Sequence, residues 1–80
     1  MTRSEINEKV QTIFRRVFSD DSIVINDAMV AADVDDWDSL NHSIMIAEVE
    51  EAFNVKFGIR EILRMENVGD MINLLEERAN

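Results

Sequence analysis

The sequence predicts an all-α domain: a small four-helix bundle with three longer helices, one short third helix and a long first loop. Three observations predict it. Proline is absent and glycine occurs only at Gly58 and Gly69, which suits helices better than a sheet with many tight turns. Apolar residues recur at helical period in separate segments. The intervening stretch from Ser19 to Asp38 has no sustained period at all, and a loop of that length is usually functional or internally packed. Eighty residues with no repeat and no low-complexity segment make a single domain, 1–80.

The first helix is expected from about Ser4 to Phe18. Thr2 and Glu5 have the spacing of a capping box. Ile6, Val10, Ile13, Phe14, Val17 and Phe18 make one apolar face, and Arg15 and Arg16 complement the dipole at its end. Along the following loop, Ile23, Ile25, Met29, Val30, Val34 and Trp37 are candidate anchors, and Asp27 is placed to cap a short turn through Ala32. The second helix is expected from Ser39 to about Phe53. Asp38 is its N-cap, and Asn54 suits the left-handed conformation that ends helices. Val55-Lys56-Phe57 reads as extended. Ile59, Ile62 and Leu63 give the short third helix. Asn67 caps a fourth helix, in which Val68, Met71, Ile72 and Leu75 share a face. Phe14, Phe18, Val49 and Phe53 lead the expected core.

The formal charge of -9 argues against nucleic-acid binding through phosphate neutralisation and favours partners with basic surfaces. Its placement is uneven. No Lys or Arg lies between Arg16 and Lys56, a stretch rich in Asp and Glu. There is no cysteine, hence no disulfide framework and no cysteine metal cluster. The start of the chain is polar and no apolar run approaches membrane-spanning length, so a soluble, cytoplasmic protein is expected.

The second helix carries two apolar faces. Met45, Ile46, Val49, Ala52 and Phe53 gather on the side expected to face the core. Leu40, Ile44 and Ala47 gather almost opposite. A helix packed on one side has no need of the second strip. With Glu48, Glu51 and Asp38 around it, the strip has the composition of a docking patch.

Asp38-Ser39-Leu40 is the most informative tripeptide. It puts a serine hydroxyl at a helix start, among carboxylates and without a good base. Such a serine suits modification by another protein better than nucleophilic attack. Ser39 and His42 lie three apart on one helix, but no glycine-rich elbow or oxyanion hole accompanies them, so a hydrolase is disfavoured. Asp33, Asp35, Asp36 and Asp38 resemble the start of a calcium loop but lack its glycine and distal glutamate, so no dedicated metal site is expected. A cofactor-free helical adaptor using the Leu40/Ile44 face is the main alternative in a different class.

The run Trp37-Asp38-Ser39-Leu40-Asn41-His42, the Glu50-Glu51-Ala52-Phe53 end of the same helix, the acidity, the length and the long first loop resemble the freestanding, bacterial-type acyl carrier proteins. The resemblance covers nearly the whole chain. It implies a carrier and no enzyme, with 4'-phosphopantetheine attached covalently to Ser39 by a phosphopantetheinyl transferase that uses coenzyme A. Asp38 would assist that transfer. Acyl groups would ride on the thiol of the arm and be presented to acyl-loading, condensing and acyl-transfer enzymes, for which a monomer suffices. The implied docking residues are Leu40, Ile44, Ala47, Glu48 and Glu51. Met45, Ile46, Ile62 and Ile72 are either ordinary core or the lining of an acyl shelter. The chain departs from the family at Asp36, where many members have glycine, and at Trp37, His42 and Ile44. These departures leave the cargo open among fatty-acid, polyketide, other specialised acyl, and aminoacyl or peptidyl groups.

Overall fold

The computed structural model describes residues 1–79; Asn80, the end of the expected domain, lies outside the described residues. Four helices form: α1 (Arg3–Val17), α2 (Ser39–Phe53), α3 (Ile59–Arg64) and α4 (Val68–Arg78). No strand occurs among the described residues. Helices α2 and α4 both pack on α1, giving a body of 30 × 26 × 22 Å. Among the described residues, no helix is long and apolar enough to cross a membrane.

Local chemistry sets the helix ends. Thr2 Oγ1 accepts from the Glu5 amide at 3.1 Å, and the Glu5 carboxylate accepts from the Thr2 amide at 3.0 Å. The Thr2 amide, and after it the Thr2 hydroxyl, stabilises the ionised form and holds the Glu5 carboxyl below its ordinary value. The helix begins at Arg3 and ends at Val17, one residue before the expected limits at each end. Ile6, Val10, Ile13 and Phe14 are buried on it, with Phe18 just beyond. Removing such side chains from water contributes roughly 1.5–3 kcal/mol each, against the entropy of ordering them.

The long first connection is packed down rather than free. Ile23, Met29 and Val34 are buried in it, and Ile25 and Trp37 pack against the core. Arg15 Nε donates to the Ile23 carbonyl at 2.8 Å, and the Ile25 amide donates to Gln11 Oε1 at 3.1 Å. The short helical turn forms later than expected. It is a single 3-10 turn, Ala31–Asp33, with the Asp33 carboxylate accepting from the Val30 amide at 3.0 Å. Asp27 does not cap it, because tertiary partners claim this residue. Its carboxylate pairs with Arg3 at 3.0 Å, and its carbonyl accepts from the Gly69 amide at 2.9 Å.

Helix α2 spans the expected residues. The Asp38 carboxylate accepts from the Asn41 amide at 2.8 Å, and Asn54 ends the helix in the left-handed conformation at φ 54°. Met45, Ile46, Val49 and Phe53 are buried. Ala52 is exposed, a correction to the expected core face. It lies at the edge of the apolar arc and lines a surface groove with Lys9 and Arg16 of α1. Beyond α2 the chain is extended, and the Phe57 amide donates to Glu50 Oε2 at 2.8 Å as Phe57 enters the core. On α3 only Ile62 packs against the core, while Ile59 and Leu63 are exposed. Asn67 Oδ1 accepts from the Asp70 amide at 2.9 Å and starts α4 as expected.

Candidate functional site

The junction between the long loop and α2 is built by three successive residues with different tasks. Asp36 has φ 67°, a left-handed conformation that glycine adopts freely and that aspartate tolerates better than most residues. Its carbonyl is held from two sides, by the Asp38 amide at 2.9 Å and by Asn41 Nδ2 at 2.8 Å. Asp36 thus takes a backbone shape suited to the glycine that many sequences of this pattern carry here. Trp37 then turns inward. Its ring meets Phe14 edge-on at 5.3 Å between centroids and lies 5.5 Å from Phe18. Asp38 follows as the N-cap, and Ser39 is the first residue of the helix.

Ser39 is exposed, and its hydroxyl makes no hydrogen bond among the described residues. Its carbonyl accepts from Ser43 Oγ at 3.1 Å, one turn on. An open groove of about 450 Å³ runs beside it, bounded by Trp37, His42 and Ser43. A free hydroxyl on a capped helix start, open to solvent, fits a covalently attached phosphodiester. The positive end of α2 favours that added negative charge. Among the described residues, no group of three His, Asp or Glu side chains is arranged to hold a metal ion. The carboxylates of Asp33 and Asp38 are engaged with backbone amides.

His42 does not bond to Ser39. Its Nδ1 accepts from Trp37 Nε1 at 3.0 Å, and the two rings stack with 17° between their planes and 6.0 Å between centroids. Periodicity gave no hint of this pair, because Trp37 stands outside the helix and His42 inside it. Trp37 and His42 are the sole tryptophan and histidine of the chain and each stands out singly, but nothing in the sequence couples them.

The second apolar strip of α2 is on the surface. Leu40 is 69% exposed, Ile44 is 42% exposed, and Ala47 is exposed beside them in sequence register. Glu51 is exposed as well. Glu48 is only partly so, and its carboxylate pairs with Arg16 of α1. Met45, Ile46 and Ile72 are buried and Ile62 half-buried; of these four only Met45 borders a cleft close to Ser39.

No protein-family model and no curated protein sequence matches the chain at a significant level. A solved structure does. The solution structure of a holo acyl carrier protein from Geobacter metallireducens is 39% identical, over 89% of this chain and 82% of that one, with a TM-score of 0.84. The chain belongs to the acyl carrier protein family. An acyl carrier protein is a carrier and not an enzyme. For an acyl carrier, the neighbouring Trp37–His42 bond is an interaction within the scaffold, and nothing in it activates the serine hydroxyl.

Proposed function

We propose that Ser39 is the attachment point of 4'-phosphopantetheine in this acyl carrier protein. The observation that carries the reading is the exposed, unbonded Ser39 hydroxyl at the first position of α2, directly after the Asp38 cap. A phosphopantetheinyl transferase moves the group from coenzyme A to Ser39 Oγ. When attached, the group supplies a thiol on which acyl groups are carried as thioesters, a sulfur that a chain without cysteine cannot provide itself. Ser39 holds the arm at a rigid helix start. Asp38 keeps that start capped and presents its carboxylate to the transferase. Leu40, Ile44 and Ala47 form the apolar centre of the docking patch, and Glu51 and Glu48 give it an acidic rim that meets basic side chains of partner enzymes.

The pathway reading is a specialised acyl carrier in fatty-acid, polyketide or related acyl metabolism. Trp37, His42 and Ile44 support it, since they change both the docking face and the wall beside the arm. The test is intact mass after incubation with coenzyme A, magnesium and a broad-specificity transferase, with Ser39→Ala alongside. A gain of one phosphopantetheine group in the native chain only is expected. A folded, initially unmodified native chain that gains nothing sinks the assignment and favours a cofactor-free adaptor.

A further inference from the structure

Two concavities meet beside Ser39. One is the open groove that Asp38, Ser39 and Ser43 border. The other is a cleft of about 100 Å³ that reaches Met45, Val68 and Met71, all buried in the core. Ala31, Trp37 and His42 line both. They therefore form the wall that the two concavities share, while exposed Glu66 borders the cleft where it opens to the surface. Ala31 contributes only a methyl group, so the wall consists mainly of the indole and the imidazole.

That wall is fixed at both ends. On one side the indole is set edge-on against Phe14 and tilted against Phe18, both buried in the core. On the other it is bonded and stacked to His42, one helical turn beyond Ser39. Swinging Trp37 outward breaks the hydrogen bond and strips both aromatic contacts. Shelter gained by a cargo must exceed that combined loss. The space available without the swing is small. An apolar cavity of about 150 Å³ admits a single benzene ring. The cleft here is smaller, at about 100 Å³.

We propose that Trp37 and His42 form a movable wall, or gate, between the Ser39 groove and the cleft, and that with this gate closed the cleft, entered from its own surface mouth beside Glu66, shelters only short acyl chains of about four carbons or fewer. The inference rests on the assignment of Ser39 as the attachment point. Trp37 is the barrier and His42 is a positioning residue that keeps it closed. Longer chains stay in the outer groove, in reach of partner enzymes and water.

The test loads butyryl- and octanoyl-phosphopantetheine onto the native chain, His42→Ala, His42→Gln and Trp37→Phe. Intact mass reports loading. Thermal unfolding then reports shelter, as the Tm of each acylated form against its own acyl-free holo form. In the native chain, butyryl raises Tm and octanoyl raises it no further. In His42→Ala and Trp37→Phe, octanoyl raises Tm by about 4–8 °C more than in the native chain, the shift that a modest gain in burial gives a domain of this size. His42→Gln keeps an acceptor for Trp37 Nε1 and behaves as the native chain. In His42→Ala, Trp37 emission also shifts on octanoyl loading, which it does not do in the native chain. Trp37→Phe keeps an aromatic ring on Phe14 and deletes the donor, so it decides the matter if His42→Ala does not fold. An octanoyl increment as large in the native chain as in the variants overturns the gate, as does its absence from every folded variant. Absence of any mass gain overturns the Ser39 assignment and the gate with it, whereas loading with unchanged Tm values overturns the gate alone.

Discussion

Asp36 is a single residue whose backbone, not its side chain, fixes the approach to Ser39. Its φ of 67° places it where an ordinary L-residue is disfavoured by roughly 1–2 kcal/mol. Its carboxylate makes no hydrogen bond or ion pair among the described residues, so the conformation is held through the carbonyl, by Asp38 and Asn41. Asp36→Gly relieves the steric cost but enlarges the freedom lost on folding, and its stability is expected within about 1 kcal/mol of the native chain. Asp36→Val adds a branched Cβ and is expected to cost about 1–2 kcal/mol. Urea unfolding midpoints measure both. Equal stability of Val and Asp at this site would show that the carbonyl clamp, and not φ, limits the turn. The caps around it were legible in the sequence, because Thr2, Asp38 and Asn67 act on amides within three residues of themselves. The positive φ at Asp36 was not, since aspartate there carries no local sign of its backbone. The Trp37–His42 bond was hidden for a related reason: it joins a loop residue to a helical one, and no period spans that boundary.

At the level of elements, α2 was readable in full because both its ends carry chemistry, a carboxylate before it and an asparagine after it. Its two apolar faces were readable from the period, and only Ala52 fell on the wrong side. The turn in the long loop was misplaced because a long-range contact decides it. Asp27 is drawn to Arg3 and to the first turn of α4, and neither is near it in sequence. That junction leads to a prediction at Gly69. Alanine is preferred over glycine within helices by about 1 kcal/mol, so propensity alone favours Gly69→Ala. A Cβ there would lie 2.9 Å from both Cβ and the carbonyl oxygen of Asp27, neither of which moves without its backbone. The clash also disturbs the Gly69 amide bond to Asp27. Gly69→Ala is therefore expected to destabilise by roughly 1–3 kcal/mol, the usual cost of overpacking a tight site. A variant more stable than the native chain in chemical denaturation would show that the loop gives way freely and that α4 does not anchor it.

Over the whole molecule, charge is divided by role. The net charge is -9, and several of the few cations are engaged inside the fold. Arg3 pairs with Asp27 and Glu76, Arg16 with Glu48, and Arg78 with Glu61. Such partly exposed pairs contribute little stability individually. Within each pair the two charges offset at long range, so a carboxylate such as the partly exposed Glu48 counts in close contact more than in the far field. Exposed Asp35, Asp36 and Glu51 have no ion pair among the described residues, and they lie within the span from Arg16 to Lys56 that contains no Lys or Arg. The unneutralised charge thus flanks Ser39 in sequence on both sides. A basic partner approaching Ser39 gains speed from that field, and salt removes the gain over distances beyond roughly 8–10 Å. The kcat/KM for loading by a basic transferase is expected to fall about tenfold or more between low and moderately high ionic strength. Glu51→Gln combined with Asp35→Asn should flatten that dependence. Leu40→Ala should lower kcat/KM at every salt concentration and leave the slope unchanged, because it removes apolar contact and no charge. Parallel salt slopes for the native chain and the Glu51/Asp35 double variant would place the steering charge elsewhere on the molecule. A steeper loss for Leu40→Ala at high salt would mean that apolar and ionic contacts form together, not in the order of long-range approach followed by close docking.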